Sequence, residues 1–272
     1  MAEITAALVK ALREQTGQGM MDCKKALQDA GGDVEVAKDL LRKKGLVTAE
    51  KKAGRPTKEG LIGIHASPDG TAAAMAEIQC ETDFTARNEE FGAMVKAAAE
   101  MVANAPQDGR VEATAEISGA VHAVLTKTRE NMSYARGVKI TAPKVATYLH
   151  HTGKVGVLVG VDGEVSDQTL GDLCMHIAFA EPIGITPEDI PAETIEKEKA
   201  FALEQAAESG KPPQIAEKIV AGKMKKFLAA NALLEQPFVR DDKKKVKEIL
   251  GGATVTAFAR FAVGGPGTIL IR

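Results

Sequence analysis

The sequence predicts an α+β protein, because segments with helical periodicity and segments with strand periodicity occur in separate runs along the chain. Residues 3–45 carry three short helical patterns. Two strand–turn–strand–helix units follow between residues 60 and 179, and their short turns favour antiparallel pairing. From residue 187, two long helical patterns are separated by a short break. These observations predict a helical N-terminal domain, a two-part α+β core with antiparallel sheets, and a helical hairpin.

The composition limits the class of protein. Of 272 residues, 44% are apolar but only 4% are aromatic and none is tryptophan, which favours a core of Ala, Val, Ile and Leu side chains. The 35 basic and 37 acidic residues give a net charge of −2, and this near-balance argues against a dedicated nucleic-acid binder. No apolar run approaches the roughly 18 residues needed to span a membrane.

The N-terminus and the cysteines indicate a location. Met1-Ala2-Glu3 lacks the basic segment and apolar core of a signal peptide. Cys23, Cys80 and Cys174 are odd in number and have no CxxC spacing, which predicts free thiols in a reducing compartment. We therefore expect a cytoplasmic protein.

Residues 1–46 are predicted to form a three-helix domain. Glycine-containing breaks at residues 16–19 and 31–32 separate the helices, and Asp33 is placed to cap the third. The apolar residues expected to face inward are Ile4, Leu8, Leu12, Cys23, Ala26, Leu27, Val36, Leu40 and Leu41. Residues 47–59, with several Lys and Arg residues, are predicted to form a charged linker.

The core is predicted to have two subdomains, at residues 60–142 and 143–272. The elements predicted in the first are strands at residues 61–64 and 72–78, a helix from Asn88 to about Asn104, and a weakly patterned helical stretch at residues 112–131. Those predicted at the start of the second are strands at residues 144–149 and 155–161 and a helix at residues 169–179. The two subdomains resemble an architectural duplication with little residue identity.

A helical arm is predicted at residues 187–230, within the second subdomain. Thr186-Pro187-Glu188-Asp189 is a capping pattern with Pro at the first helical position. The short break at residues 209–213, between helices of similar length, predicts an antiparallel hairpin that projects from the body. The last predicted elements are a helix at residues 243–250 and an alternating strand at residues 254–263 with one buried face.

The junction between the second strand and the following helix carries an unusual pair, Asp83 and Phe84. The carboxylate needs water, a cation or a donor, whereas the ring favours burial of about 150–250 Å². In one interpretation Phe84 turns into the core and Asp83 caps the following helix. In the other, the two side chains are presented together to a partner. The residues of this stretch do not decide between them.

The sequence lacks the common motifs of catalytic and nucleotide-binding sites. It has no P-loop, no Gly-x-Ser-x-Gly and no His-Glu-x-x-His, so we expect neither an enzyme nor a direct binder of nucleotide, metal or cofactor. His150 and His151 are consistent with a polar turn or an exposed contact, and His176 with a core residue. The adjacent Met20 and Met21 are either core filler or a flexible partner-binding surface.

Motifs along nearly the whole chain resemble those of the bacterial elongation factor Ts family. The two most specific are residues 12–27 (LREQTGQGMMDCKKAL) and residues 77–84 (EIQCETDF). Further similarity lies at residues 148–150, 155–159, 196–198, 209–212, 225–227 and 236–239. The resemblance implies that the three-helix domain is like the ubiquitin-associated fold, and that the core and arm are as described above.

The resemblance also implies a function. Members of the family bind elongation factor Tu, with or without GDP, and promote exchange of GDP for GTP by disturbing the partner's magnesium and phosphate site. It implies that Asp83 and Phe84 form a wedge that enters the partner near its magnesium. The implied contacts in and around this wedge are Thr82, Asp83, Phe84, Thr85, Ala86 and Arg87. The implied contacts elsewhere are Arg13, Met20, Met21 and His150. A homodimer is also compatible with the arm and a free strand edge.

Two departures from the family pattern stand out. Thr85 stands where the family usually has Val, a nearly isosteric change that adds a hydroxyl. The resemblance fades after residues 261–263, and the C-terminal helical module of some members is expected to be missing. Two other classes of protein remain as alternatives: a scaffold that binds peptides through the three-helix domain, and an RNA-associated ribosomal accessory protein.

Overall fold

The computed structural model describes residues 4–52, 54–208 and 212–272. Its N-terminal helices are α1 (Ala6–Thr16), α2 (Met20–Asp29) and α3 (Val34–Lys52). Thr5 caps α1 by accepting the N–H of Leu8, and Gly17 ends it with a φ of 66°. Asp33 caps α3 as predicted, since its carboxylate accepts the N–H groups of the third helix's first turn.

Two predictions for this region are wrong. Helix α3 continues to Lys52, so the first part of the predicted linker is helical. Val36 is exposed, because the inward stripe of α3 is formed by Ala37 and Leu41, four residues apart, and Val36 lies about 100° away from it.

The first sheet has the strand order β1-β2-β4-β3 and is antiparallel throughout. Its strands are β1 (Glu59–Ala66), β2 (Ala72–Cys80), β3 (Gly109–Val111) and β4 (Met132–Thr141). The helices of this part are α4 (Asp83–Ala86), α5 (Glu89–Ala103) and α6 (Ala115–Thr128). The hairpin and α5 were predicted. Strands β3 and β4 were not, although β4 is a central strand of the sheet.

The second sheet has the order β10-β9-β6-β5 and is also antiparallel. Its strands are β5 (Lys144–Leu149), β6 (Val155–Asp162), β9 (Thr254–Ala262) and β10 (Thr268–Ile271), and a separate pair is formed by β7 (Pro237–Phe238) and β8 (Asp241–Lys245). The helices of this part are α7 (Asp167–Ala180), α8 (Ala192–Glu208), α9 (Pro213–Asn231) and α10 (Val246–Ile249).

The two sheets pack face to face, and helices cover their outer faces. The cluster between the sheets contains Ile62, Ala73, Met75, Val138, Ile140, Leu158, Ala257, Ala259 and Phe261. Gly156 permits the close approach of the sheets, since a Cβ there would lie 2.6 Å from the sulfur of Met75 and 2.7 Å from Cγ2 of Ile62. Helices α5 and α6 cover the first sheet, and α7 covers the second. Strand β9 is therefore buried on both faces, and the prediction of one buried face is wrong.

Helices α8 and α9 pack against each other through small apolar side chains. Ala202, Ala206 and Val220 form their buried cluster. The predicted break at residues 209–213 lies partly outside the described residues. The capping pattern forms a 3-10 turn at Pro187–Asp189 instead of opening α8, and the N–H of Thr186 donates to Asp189 over 2.7 Å. The predicted helix at residues 243–250 is wrong in its first half, where β8 pairs with β7.

Candidate partner-binding site

The junction after β2 is built from two successive helix caps. The hydroxyl of Thr82 accepts the N–H of Thr85 (3.3 Å) and caps the single turn of α4. The side chain of Asn88 accepts the N–H of Glu90 (2.8 Å) and caps α5. Because both caps lie within seven residues, the chain makes a tight turn between strand and helix. We call residues 82–87 the tip.

Phe84 lies on the outside of the tip, with 79% of its surface exposed. Thr85 and Ala86 are buried and take the inward positions of the turn, so the position before them points to solvent. The interpretation that Phe84 enters the core while Asp83 caps the next helix is wrong, because Asn88 provides that cap. Leaving a phenylalanine exposed forgoes about 1.5–3 kcal/mol of burial.

Asp83 forms an ion pair with Arg87, with 2.9 Å between Oδ2 and the guanidinium nitrogen. Both side chains are accessible to solvent. An exposed pair of this kind contributes about 0–1 kcal/mol, so a partner can replace either member at little cost. The tip therefore offers an aromatic ring, a carboxylate and a guanidinium together.

The tip is held by the loop between α6 and β4, which the sequence did not indicate as part of the site. The carboxylate of Glu130 accepts the hydroxyl (2.8 Å) and the N–H (3.2 Å) of Thr82. In return, the carboxylate of Glu81 accepts the N–H of Asn131 (2.5 Å). Cys80 lies buried beneath, and burial raises its thiol pKa to about 12, which keeps it protonated and unreactive.

Arg13, Met20 and Met21 are exposed on the N-terminal helices. Met21 has 72% of its surface exposed, so the core-filler interpretation of the methionine pair is wrong. The next residue, Asp22, docks this unit on the core by accepting from Arg129 over 2.8 Å. The methionine pair therefore lies beside the contact between the three-helix unit and the loop that holds the tip.

His150 and His151 lie in the turn between β5 and β6. Nδ1 of His150 is 2.8 Å from the hydroxyl of Thr152, and the two imidazole rings are tilted with centroids 4.1 Å apart. His150 is half-buried and His151 is exposed. The turn is polar and accessible, so both interpretations of these histidines remain open. It is an element separate from both the tip and the N-terminal helices.

His176 is a core residue, as predicted. Nδ1 accepts the N–H of Val239 (3.2 Å), so Nε2 carries the proton and donates to the side-chain oxygen of Gln236 (2.9 Å). Burial lowers its pKa from the ordinary value. All three cysteines are buried and free, which confirms the prediction of free thiols.

The described part of the chain offers no metal site, since no group of three or more His, Cys, Asp and Glu side chains within it has suitable geometry. Among the helices of residues 4–52, 54–208 and 212–272, none is both long enough and apolar enough to cross a bilayer. The accessible feature of the junction is a doubly capped tip with an aromatic ring and charged side chains. An exposed aromatic ring beside charged side chains is typical of a surface that contacts another protein.

Comparison with known proteins identifies the family. Residues 81–265 match the family model described as Elongation factor TS, and this match begins at the junction. Elongation factor Ts of Photobacterium profundum is 45% identical over 271 residues, covering 97% of this chain and 93% of the relative. Elongation factor Ts of Aquifex aeolicus is 41% identical over 280 residues, covering 94% and 97%. The chain belongs to the elongation factor Ts family and is a translation elongation factor.

Proposed function

We propose that this protein binds elongation factor Tu and promotes release of its GDP and exchange for GTP, with no chemistry of its own. The observation that carries the proposal is the exposure of Phe84 next to Asp83 on a doubly capped turn. Family membership supports the choice of partner. A cytoplasmic location, where translation takes place, is part of the same proposal.

In this proposal Phe84 and Asp83 form the wedge. The ring enters an apolar recess of the partner, and the carboxylate disturbs the charge balance around the partner's magnesium, whose ligands are hard oxygens. Arg87 is released from Asp83 and becomes available to the partner. Thr85 and Ala86, which are buried, support the wedge from below rather than contact the partner.

The required lowering of the barrier to GDP release is larger than the wedge alone can supply. Accelerating GDP release by about four decades lowers the barrier by about 5.5 kcal/mol. Burial of Phe84 supplies about 1.5–3 kcal/mol of that. The exposed contacts at Arg13, Met20 and Met21, together with the turn at His150, are proposed to hold the partner in its distorted form. Because coupling is reciprocal, GDP weakens binding of this protein by the factor by which the protein weakens GDP.

The test is release of fluorescent GDP from elongation factor Tu, chased with excess unlabelled nucleotide. We expect the wild-type protein to accelerate release at substoichiometric amounts. Phe84→Ala is expected to lower the maximal release rate at saturating protein more than it raises the half-saturating concentration. Asp83→Asn is expected to act in the same direction.

Phe179→Ala is the matched control, because Phe179 is also 79% exposed but lies on α7, away from the tip. It should behave as wild type. Phe84→Ala should also unfold at the wild-type denaturant concentration, since an exposed ring contributes little to stability. Equal maximal rates for wild type and Phe84→Ala would eliminate the wedge. No acceleration by folded wild-type protein, with an active partner, would eliminate the proposed function itself.

A further inference from the structure

We infer that Glu130 is a positioning residue for the exchange reaction: its carboxylate sets the orientation of the tip without touching the partner. The inference rests on the proposed function. Glu130 lies 48 residues from Thr82 in sequence, in the loop between α6 and β4, yet it makes two hydrogen bonds to that one residue. Thr82 immediately precedes Asp83 and Phe84.

The two bonds determine how the cap of α4 is made. A threonine hydroxyl has one hydrogen to donate, and an ionised carboxylate only accepts. The hydroxyl hydrogen of Thr82 is therefore directed at Oε1 of Glu130 (2.8 Å). This leaves an oxygen lone pair for the N–H of Thr85, which donates to the same hydroxyl over 3.3 Å. Glu130 thus fixes the orientation of the Thr82 hydroxyl, and this hydroxyl caps the turn that carries Phe84.

Glu130 and Glu81 extend the strand ladder beyond its last backbone pair. Strands β2 and β4 end their pairing at Cys80 and Met132. One residue beyond that pair, the N–H of Asn131 is accepted by Glu81, and two residues beyond it the N–H of Thr82 is accepted by Glu130. Two side chains therefore replace the missing backbone acceptors in a reciprocal arrangement. The direction in which the chain leaves the sheet toward Phe84 is held from the opposite strand.

The loop that carries Glu130 is itself anchored on both sides. Arg129 ends α6 in the left-handed conformation (φ 61°), and its N–H donates to the carbonyl of Leu125 over 2.8 Å. Asn131 is buried, and its amide donates to the carbonyl of Arg55 over 2.8 Å. A carboxylate on such a loop has little freedom to follow the tip, so the tip must adopt the position that Glu130 allows.

The experiment measures GDP release from elongation factor Tu as a function of protein concentration for Glu130→Ala, Glu130→Gln and wild type. Glu130→Ala is expected to lower the maximal release rate about tenfold, equivalent to about 1.4 kcal/mol. Its half-saturating concentration should stay within about threefold of wild type, a shift of less than about 0.7 kcal/mol, because the exposed contacts are untouched. Glu130→Gln keeps one acceptor oxygen and should fall between the two. Glu116→Gln, which removes a carboxylate from the exposed start of α6, is the control.

A second measurement uses the protein alone, without elongation factor Tu. Amide hydrogen exchange at Thr82 and Thr85 should accelerate in Glu130→Ala, because their acceptors are lost or reoriented. Exchange at Glu90, whose N–H is capped by Asn88, should not change. Thr82→Val combined with Glu130→Gln should slow GDP release by less than the product of the two single effects, since both weaken the hydroxyl–carboxylate contact between these residues.

Three results would overturn the inference. One is a maximal rate for Glu130→Ala within twofold of wild type. Another is a loss confined to the half-saturating concentration, which would make Glu130 a simple binding contact. The third is a double variant, Thr82→Val with Glu130→Gln, whose loss of GDP release rate equals the product of the two single losses. If Glu130→Ala fails to fold, Glu130→Gln is judged by the same criteria, with an expected rate loss of at least threefold.

The failure of this inference is separable from failure of the proposed function. If wild-type protein accelerates release and Phe84→Ala does not, while the Glu130 variants match wild type, only the role of Glu130 is lost. If wild-type protein is inactive, the proposed function fails. The exchange rates of the Thr82 and Thr85 amides then still decide whether Glu130 holds the tip.

Discussion

Replacement of Glu77 by alanine is expected to destabilise the two-sheet core by about 3–5 kcal/mol, the usual cost of breaking a buried ion pair. Glu77 is 1% exposed and lies on β2. Arg136 on β4 stands opposite because a bulge at Ala135 shifts the register of the two strands. The guanidinium contacts the carboxylate of Glu77 at 2.6 Å and 2.7 Å.

The size of the effect follows from what the substitution leaves behind. The carboxylate of Glu77 also accepts the N–H of Gly264 (2.9 Å) and the amide of Gln79 (2.7 Å). Arg136 donates to the carbonyls of Ala262 and Gly265, both at 3.0 Å. Glu77→Ala therefore leaves a largely buried guanidinium without its counter-charge and removes an acceptor from the segment that follows β9.

The assay is urea unfolding followed by far-UV circular dichroism. Glu59→Ala is the control: Glu59 lies on β1 and pairs with Lys154 at the surface, so about 0–1 kcal/mol is expected. The combined Glu77→Ala and Arg136→Ala variant should lose less stability than the sum of the two single losses, because each single change leaves the other charge unpaired. The reasoning is refuted if Glu77→Ala costs no more than Glu59→Ala.

Three further predictions concern titration and docking. Burial lowers the pKa of His176, so the unfolded chain binds the proton more readily, and the contribution of this residue to stability should be full above pH 6.5 and be lost as the pH drops through the lowered value. Urea midpoints should therefore fall more steeply with decreasing pH in wild type than in His176→Gln, and equal slopes would contradict this. Asp22→Asn removes the ion pair with Arg129 and should weaken docking of the three-helix unit by up to about 1 kcal/mol. Protease cleavage within residues 54–58 should then rise up to about fivefold, whereas unchanged cleavage would mean that other contacts dock the unit. Because burial raises the pKa of Cys174 to about 12, this thiol should react with a disulfide reagent at pH 8 only after urea unfolding, and prompt reaction of the native protein would contradict its burial.

Elements with strong local signals were predictable from the sequence. Helix α8 occupies residues 192–208, within the predicted arm and immediately before its predicted break at residues 209–213. The first turn of α5 was predicted at residues 88–91, and Asn88 is its cap in the structure. The hairpin of β1 and β2 was likewise predicted, from the apolar runs at residues 61–64 and 72–78. In each case residues within a few positions of one another supply both the signal and the hydrogen bonds.

Strand β4 was missed because its sequence lacks a clean period. It contains Arg136 and Gly137, and the bulge at Ala135 interrupts the alternation of inward and outward side chains. Strand β9 was found, but its burial was misjudged: one face packs on the first sheet, and the other face, which carries Phe258, packs against α7. In both cases the deciding contacts are with elements distant in sequence: the bulge of β4 forms against β2, and the second face of β9 packs against α7.

The candidate site divides in the same way. The sequence by itself determined that an acidic residue and an aromatic residue stand together between a strand and a capped helix, and its motifs pointed to the elongation factor Ts family. Only the tertiary structure decided that Phe84 faces solvent, since that depends on Thr85 and Ala86 filling the space beneath the turn. It also brought Glu130 to Thr82. Short-range hydrogen bonds encode where a helix begins, whereas the orientation of a side chain depends on which distant residues have already occupied the core.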